Sequence, residues 1–359
     1  MVRKKASKPN KTLQVVKTSR VGRYASKAVV SIRRPVDNLL ARRPHRSFRL
    51  TRRRDYLRSL ALPGYFKFSF EVLSVLRKRK AMWLYVAAIF VVIGLLLGSI
   101  TSQQTYRTLG TALEDSAGVL VEGDVSQFTQ AGLLAISAFS SATTNIGEAQ
   151  QVYLGLVAIL VWLITVWLLR EQLAGRRPNL RDGLYSSGSP LVSTFLVSIV
   201  LILQLLPIGI LALVYTALAS TGLINEGFGA FLAFVTAALT IALTLYWLTA
   251  TFISLVVVTL PGMYPMQALR TGGDLVVGRR LRIMYRLLWL AFWTAFTWLA
   301  VMIPVIMLDK WLVTVWDFWV YIPVVSLVAS AVSSLLMIYI ASYIYLLYRK
   351  VVDDDASPA

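Results

Sequence analysis

The sequence predicts an all-α integral membrane protein: six transmembrane helices, N- and C-termini in the cytoplasm, and an interfacial amphipathic helix before the first span. Three observations carry that reading. Six long uncharged apolar intervals recur along the chain, basic residues fall on one side of them, and Trp and Tyr gather near their ends. The composition agrees, with 57% hydrophobic and only 15% charged residues, where a soluble globular domain carries about 25% charged.

A helix crosses the roughly 30 Å hydrocarbon core with about 20 apolar residues. The intervals that qualify are 81–100, 152–169, 191–213, 228–260, 287–308 and 319–347, and none contains Lys, Arg, Asp, Glu or His. The fourth and sixth exceed the minimum and have room to tilt or to project beyond the bilayer. Pro207, Pro304 and Pro323 are expected to kink their spans.

Orientation follows from the basic residues. With the N-terminus inside, the later cytoplasmic segments hold Arg170, Arg176, Arg177, Arg181, Arg270, Arg279, Arg280, Arg282, Arg286, Arg349 and Lys350. The outer segments hold only Arg107 and Lys310, together with eight acidic residues. The protein is therefore expected in the cell membrane as a multi-pass chain.

Charge is concentrated at the start. Residues 1–80 carry a net +21 and the remainder −1, within a total of +20. Residues 1–62 are too basic and too poor in large apolar side chains to bury a core, which predicts a largely disordered cytoplasmic tail. Its densest part holds Arg42, Arg43, Arg46, Arg49, Arg52, Arg53, Arg54 and Arg58. Those side chains suit contacts to anionic phospholipid of the inner leaflet, and secondarily to nucleic acid or an acidic protein. Residues 63–80 read as the interfacial helix. Phe66, Phe70, Leu73 and Leu76 recur at three- and four-residue spacing, ahead of Arg77, Lys78, Arg79 and Lys80.

The outer segment 101–151 is long for a connection between two spans and predicts a helical cap. Residues 351–359, with Asp353, Asp354 and Asp355, read as an acidic C-terminal tail. Gly94 and Gly98 form a Gly-x-x-x-Gly spacing that points to close helix packing, within the bundle or in a homo-oligomer. Gln204, three residues before Pro207, points either to a polar path or to a hydrogen bond between helices.

The inner loop between the fourth and fifth spans is the most patterned. Pro261 ends the fourth span, a short helix over 263–271 is expected to stop at Gly272 and Gly273, and Gly278 precedes Arg279 and Arg280. The loop between the second and third spans echoes it, Leu180–Gly188 against Pro265–Gly273, which suggests two related helical hairpins. The pattern Leu260-Pro261, Ala268-Leu269, Gly272, Leu275 and Gly278 resembles the membrane domain of bacterial glycerophosphodiester phosphodiesterases. The resemblance implies a six-span membrane domain. The catalytic domain of that family is similar to a barrel with paired histidines and metal-binding carboxylates, and this chain holds no such domain.

Chemistry has little to build on. The chain has no cysteine and one histidine, His45, which excludes thiolate sites and most histidine-based catalysis and zinc binding. No catalytic residue, metal site or cofactor is expected. The reading is a non-enzymatic integral membrane protein of the cell envelope, in lipid handling, membrane assembly or export. Two alternatives stay open: a transporter or lipid-translocating protein, and a membrane scaffold that tethers nucleic acid or ribosomes through the basic tail.

Overall fold

The computed structural model describes residues 62–98, 148–176, 178–220, 227–316, 318–319 and 322–356. Among them are nine helices and no strand: α1 (Tyr65–Arg77), α2 (Lys80–Gly98), α3 (Glu148–Leu173), α4 (Leu180–Ser187), α5 (Leu191–Ser220), α6 (Gly227–Val257), α7 (Pro265–Val276), α8 (Arg280–Val315) and α9 (Val324–Ala356). Long helices are the expected solution for apolar chain in hydrocarbon, because a helix satisfies its own backbone donors and acceptors.

Five of these helices, α3, α5, α6, α8 and α9, are long and apolar enough to cross a membrane. The first predicted span corresponds to α2, whose described apolar stretch, Lys80–Gly94, is shorter than theirs. The predicted tail 1–62, apart from Leu62, and the predicted cap 101–151, apart from its last four residues in α3, lie outside the described residues.

Several predicted boundaries move. α8 runs through the charged residues on both sides of 287–308, so Arg280, Arg282, Arg286, Asp309 and Lys310 all sit in one continuous helix. Asp309 is buried and accepts a hydrogen bond from Trp319 Nε1 at 3.1 Å. α9 begins after Pro323, so that proline starts the helix rather than kinking it. α9 then continues to Ala356, so most of the predicted acidic tail is helical. Pro207 and Pro304 do lie inside α5 and α8.

α9 is the centre of the bundle and packs on α1, α2, α3, α6 and α8. Its buried residues Ile338, Ala341, Tyr343, Ile344 and Leu347 share one core with Val161 and Leu168 of α3 and Ile253 and Val256 of α6. α5 rests mainly on α6. Half of the most apolar stretch of α3 is buried, against 6% of that of α5. Lipid tails are as apolar as leucine, so contacts between such helices depend on close packing and polar ties rather than on a hydrophobic drive. One such tie joins the peripheral hairpin, where Thr251 Oγ1 donates to Gln204 Oε1 at 2.7 Å.

Candidate functional site

The connecting helices α1, α4 and α7 gather at one end of the bundle, where α3, α6 and α9 finish and α5 and α8 begin. At that end, arginines tie separate elements together through main-chain carbonyls. Arg170 Nη2 at the end of α3 donates to Thr259 O at 3.2 Å and Thr259 Oγ1 at 3.0 Å, just past α6. Arg279 Nη1 donates to Val351 O of α9 at 3.0 Å, and Arg79 Nη2 to Arg176 O at 3.2 Å. Thr259 and Arg176 lie just past the ends of α6 and α3, where carbonyls have no partner within the helix, so a guanidinium that reaches them satisfies acceptors otherwise left open.

α1 is docked, not merely laid on the surface. Its sequence offers two apolar sides, because Phe66 and Phe68 lie about 200° apart around a helix. Phe68, Ser69 and Val72 face the bundle and are buried, while Phe66 and Phe70 are more than half exposed. The Phe68 ring meets Tyr343 of α9 edge-on at 4.7 Å. Arg286, 6% exposed, donates to the Pro63 carbonyl and stands over the Tyr65 ring at 4.2 Å. Trp289 Nε1 donates to Ser69 Oγ at 3.0 Å, and Phe66 packs edge-on to Trp289 at 4.7 Å. At its other end, α1 accepts from Gln172 Nε2 at Val75 O, 2.8 Å away. The helix thus bridges α8 and α9 to α3.

The predicted inner-loop residues acquire specific roles. α7 does not stop at Gly272 and Gly273 but runs through them to Val276. Ala268, Gly272 and Val276, each one turn apart, form its buried side against α6. A Cβ on Gly272 would fall 2.9 Å from Ser254 N and 2.0 Å from Ser254 Oγ, so the glycine permits a backbone-to-backbone approach. A Cβ on Gly273 would meet nothing within 4 Å. Pro261 precedes Gly262, whose φ of 76° turns the chain, and Gly278 turns it again at φ 79° into Arg279 and Arg280. The Arg280 guanidinium lies over the Tyr246 ring at 4.6 Å, and Leu269 is partly buried against the core.

Other predicted residues are placed as follows. Arg77, Lys78 and Lys80 are exposed. Gln204 serves the bond between helices to Thr251, while Pro207 lies in the same α5. A Cβ on Gly94 would meet nothing within 4 Å, so the expected close approach at Gly94 is not made within the described bundle. Gly98 ends α2. Arg42, Arg43, Arg46, Arg49, Arg52, Arg53, Arg54 and Arg58 lie outside the described residues. Among the described residues, no three His, Cys, Asp or Glu side chains come together.

Two cavities lie near the connector end, and neither has a direct signal in the residue pattern. The first, about 560 Å³, is enclosed by α3, α5, α6, α8 and α9. Its wall is almost wholly apolar, with Trp162, Leu201, Phe252, Leu287, Ala291 and Ile340 representative. Trp162 is fixed there by its indole N–H, which donates to Leu255 O at 3.1 Å. Ala291 and Leu288 line the cavity and are also exposed, so the cavity reaches the lateral surface of the bundle. The second, about 400 Å³, is lined by Arg170, Ser186, Ser187, Ser189 and Ser193, with Trp167 and the chain from Val258 to Tyr264.

No protein-family model matches the chain, and neither the comparison with curated proteins nor that with solved structures finds a match.

Proposed function

We propose that this chain is a non-enzymatic, lipid-handling protein of the cell membrane that takes a phospholipid acyl chain into the 560 Å³ cavity between α3, α5, α6, α8 and α9. In this reading the chain has six spans with both termini cytoplasmic, and the connector end faces the cytoplasm. The basic tail then lies against anionic lipid of the inner leaflet. The likeness of the inner loop to the phosphodiesterase membrane domain agrees with a membrane-embedded rather than a catalytic role.

The observation that carries the proposal is the cavity itself. Its volume lies within the range of small-molecule sites, about 300–1,000 Å³. An empty space of that size forfeits the dispersion contacts of every residue around it. In a bilayer the material at hand to fill an apolar space open to the side is an acyl chain. Because the chain leaves one hydrocarbon phase for another, apolar transfer adds little, and shape and packing decide how well it is held.

The test uses the full chain purified in mild detergent. Phospholipid retained after extensive washing is quantified by mass spectrometry for the parent protein and for Ala158→Phe and Ala291→Phe, both of which fill the cavity. Melting temperature and helical content serve as controls. The parent is expected to retain phospholipid and the filled variants several-fold less. Equal retention by all three folded proteins would reject the cavity as a lipid site.

A further inference from the structure

An apolar cavity accepts acyl chains without choosing among lipids, so selectivity has to come from the polar end of the molecule. We infer that the 400 Å³ pocket at the connector end is the subsite for a phosphodiester headgroup, with Arg170 as its charged donor and Ser186, Ser189 and Ser193 as hydroxyl donors. This rests on the reading of the apolar cavity as an acyl-chain site.

The placement of the two spaces supports it. Each draws on the same three helices, and on each helix the polar pocket uses residues nearer the connector end. On α3 the apolar cavity takes Trp162 and the pocket takes Trp167 and Arg170. On α5 they take Ser198 and Ser193, and along α6 they take Phe252 and then Val258 and Thr259 just past its end. The two linings adjoin at Trp162 and Leu163 on α3 and at Ser193 and Thr194 on α5, and their farther residues stand five to eight positions apart, roughly 8–12 Å along a helix. That ordering, hydrocarbon deeper and polar groups at the end, matches an amphiphile.

The electrostatics select an anion. The carbonyl end of α6 contributes to the pocket wall and on its own would repel one. Arg170 reverses the sign. Nη2 is engaged by Thr259, while Nε and Nη1 make no protein hydrogen bond among the described residues. Nε–H and Nη1–H leave the guanidinium on different sides, so each can donate a single charged hydrogen bond to an anion, and serine hydroxyls rotate to donate to other phosphate oxygens. Among the described residues, no carboxylate lines the pocket. Trp167 and Met263 give it apolar walls, and exposed Tyr264 stands at its mouth.

The experiment measures binding to the full chain in detergent by isothermal titration, with dioctanoyl phosphatidylglycerol, dioctanoylglycerol and inorganic phosphate as separate probes. The variants are Arg170→Gln, Arg170→Lys, the double Ser189→Ala/Ser193→Ala, and Ala158→Phe. Phosphatidylglycerol is expected to bind the parent protein and to bind Arg170→Gln about tenfold more weakly, as the loss of a charged hydrogen-bond donor predicts. Arg170→Lys should recover part of that loss. The serine double variant leaves the Arg170–Thr259 contact in place and should still weaken phosphatidylglycerol, so the test survives if Arg170→Gln fails to fold. Dioctanoylglycerol should be insensitive to all the pocket substitutions.

Phosphatidylglycerol affinity unchanged in both the Arg170 and serine variants would overturn the headgroup site while leaving the acyl-chain reading intact. Loss in those variants with none in Ala158→Phe would do the reverse. Inorganic phosphate binding as tightly as phosphatidylglycerol would mean a free-anion site and overturn the lipid assignment.

Discussion

The two hairpins α3–α4–α5 and α6–α7–α8 have the same order of long, short and long helix, and their short helices begin eighty-five residues apart, at Leu180 and Pro265. What separates them is how each short helix is seated. In the first, Gly183 of α4 faces a side chain, Leu168 Cδ2, at 3.2 Å from where a Cβ would stand. In the second, Gly272 of α7 faces the backbone of Ser254. A side chain yields by rotation, whereas a helix backbone yields only by moving the helix. The second connector is therefore the rigid one, and it belongs to the hairpin that also carries α1 through Arg286 and Trp289.

The sharpest break of this comparison is Gly272→Ala. The new methyl group would stand 2.9 Å from Ser254 N, and α7 has to shift away from α6 to admit it. Overpacking of this kind costs about 1–3 kcal/mol, and the upper part of that range is expected. Thermal unfolding in detergent measures it, and Ser254→Gly in the same chain should recover only part, since the backbone clash remains. Full stability in Gly272→Ala would show that α7 is loosely seated after all.

Arg286 comes next. The residue eighty-five positions earlier is Leu201, on the cavity wall, so among the described residues the buried cation that α1 meets comes from the second hairpin. Arg286→Leu leaves the Pro63 carbonyl without its donor and removes the cation from the Tyr65 ring. A loss of about 2 kcal/mol is expected from the charged hydrogen bond and the ring contact together. Faster proteolysis within Pro63–Arg77 would place that loss in α1. Gly183→Ala should be milder, under about 1 kcal/mol, because the neighbour that must yield is the Leu168 side chain. A cost equal to that of Gly272→Ala would erase the difference between the hairpins.

Much of this architecture is legible in the residues, and the reasons for the rest are physical. Uninterrupted apolar length announces spanning helices, and α3, α5, α6, α8 and α9 follow from it. Helix ends are less visible, because an arginine or aspartate such as Arg286 or Asp309 stays helical once a neighbour receives it. The apolar repeat of α1 points to Phe66 and Phe70, yet the bundle takes Phe68 and Val72, since the helix has two greasy sides and only tertiary packing chooses between them. Gly272 reads as a helix stop in sequence, where glycine at the end of a helix and glycine at a close contact look alike. Cavities leave no local pattern at all. Trp162, Phe252 and Ala291 come from three separate helices, and only the fold brings them to one wall. Arg170 and Arg286 register in sequence as topology signals, and their carbonyl partners lie far along the chain.

The smallest expected effect has the opposite sign and isolates the cause of the largest. Gly273 adjoins Gly272 in α7, lies in helix, and has nothing within 4 Å of an added Cβ. Replacing a helical glycine by alanine removes conformational freedom from the unfolded chain and is worth about 0.5–1 kcal/mol where the space is free. Gly273→Ala should therefore stabilise the protein slightly in the same unfolding measurement that registers the loss in Gly272→Ala. Two neighbouring substitutions of identical chemistry, moving in opposite directions, separate a steric demand at one position from a general need for a flexible connector. If both destabilise, α7 depends on backbone freedom, and the close approach to Ser254 is not what the glycine at 272 supplies.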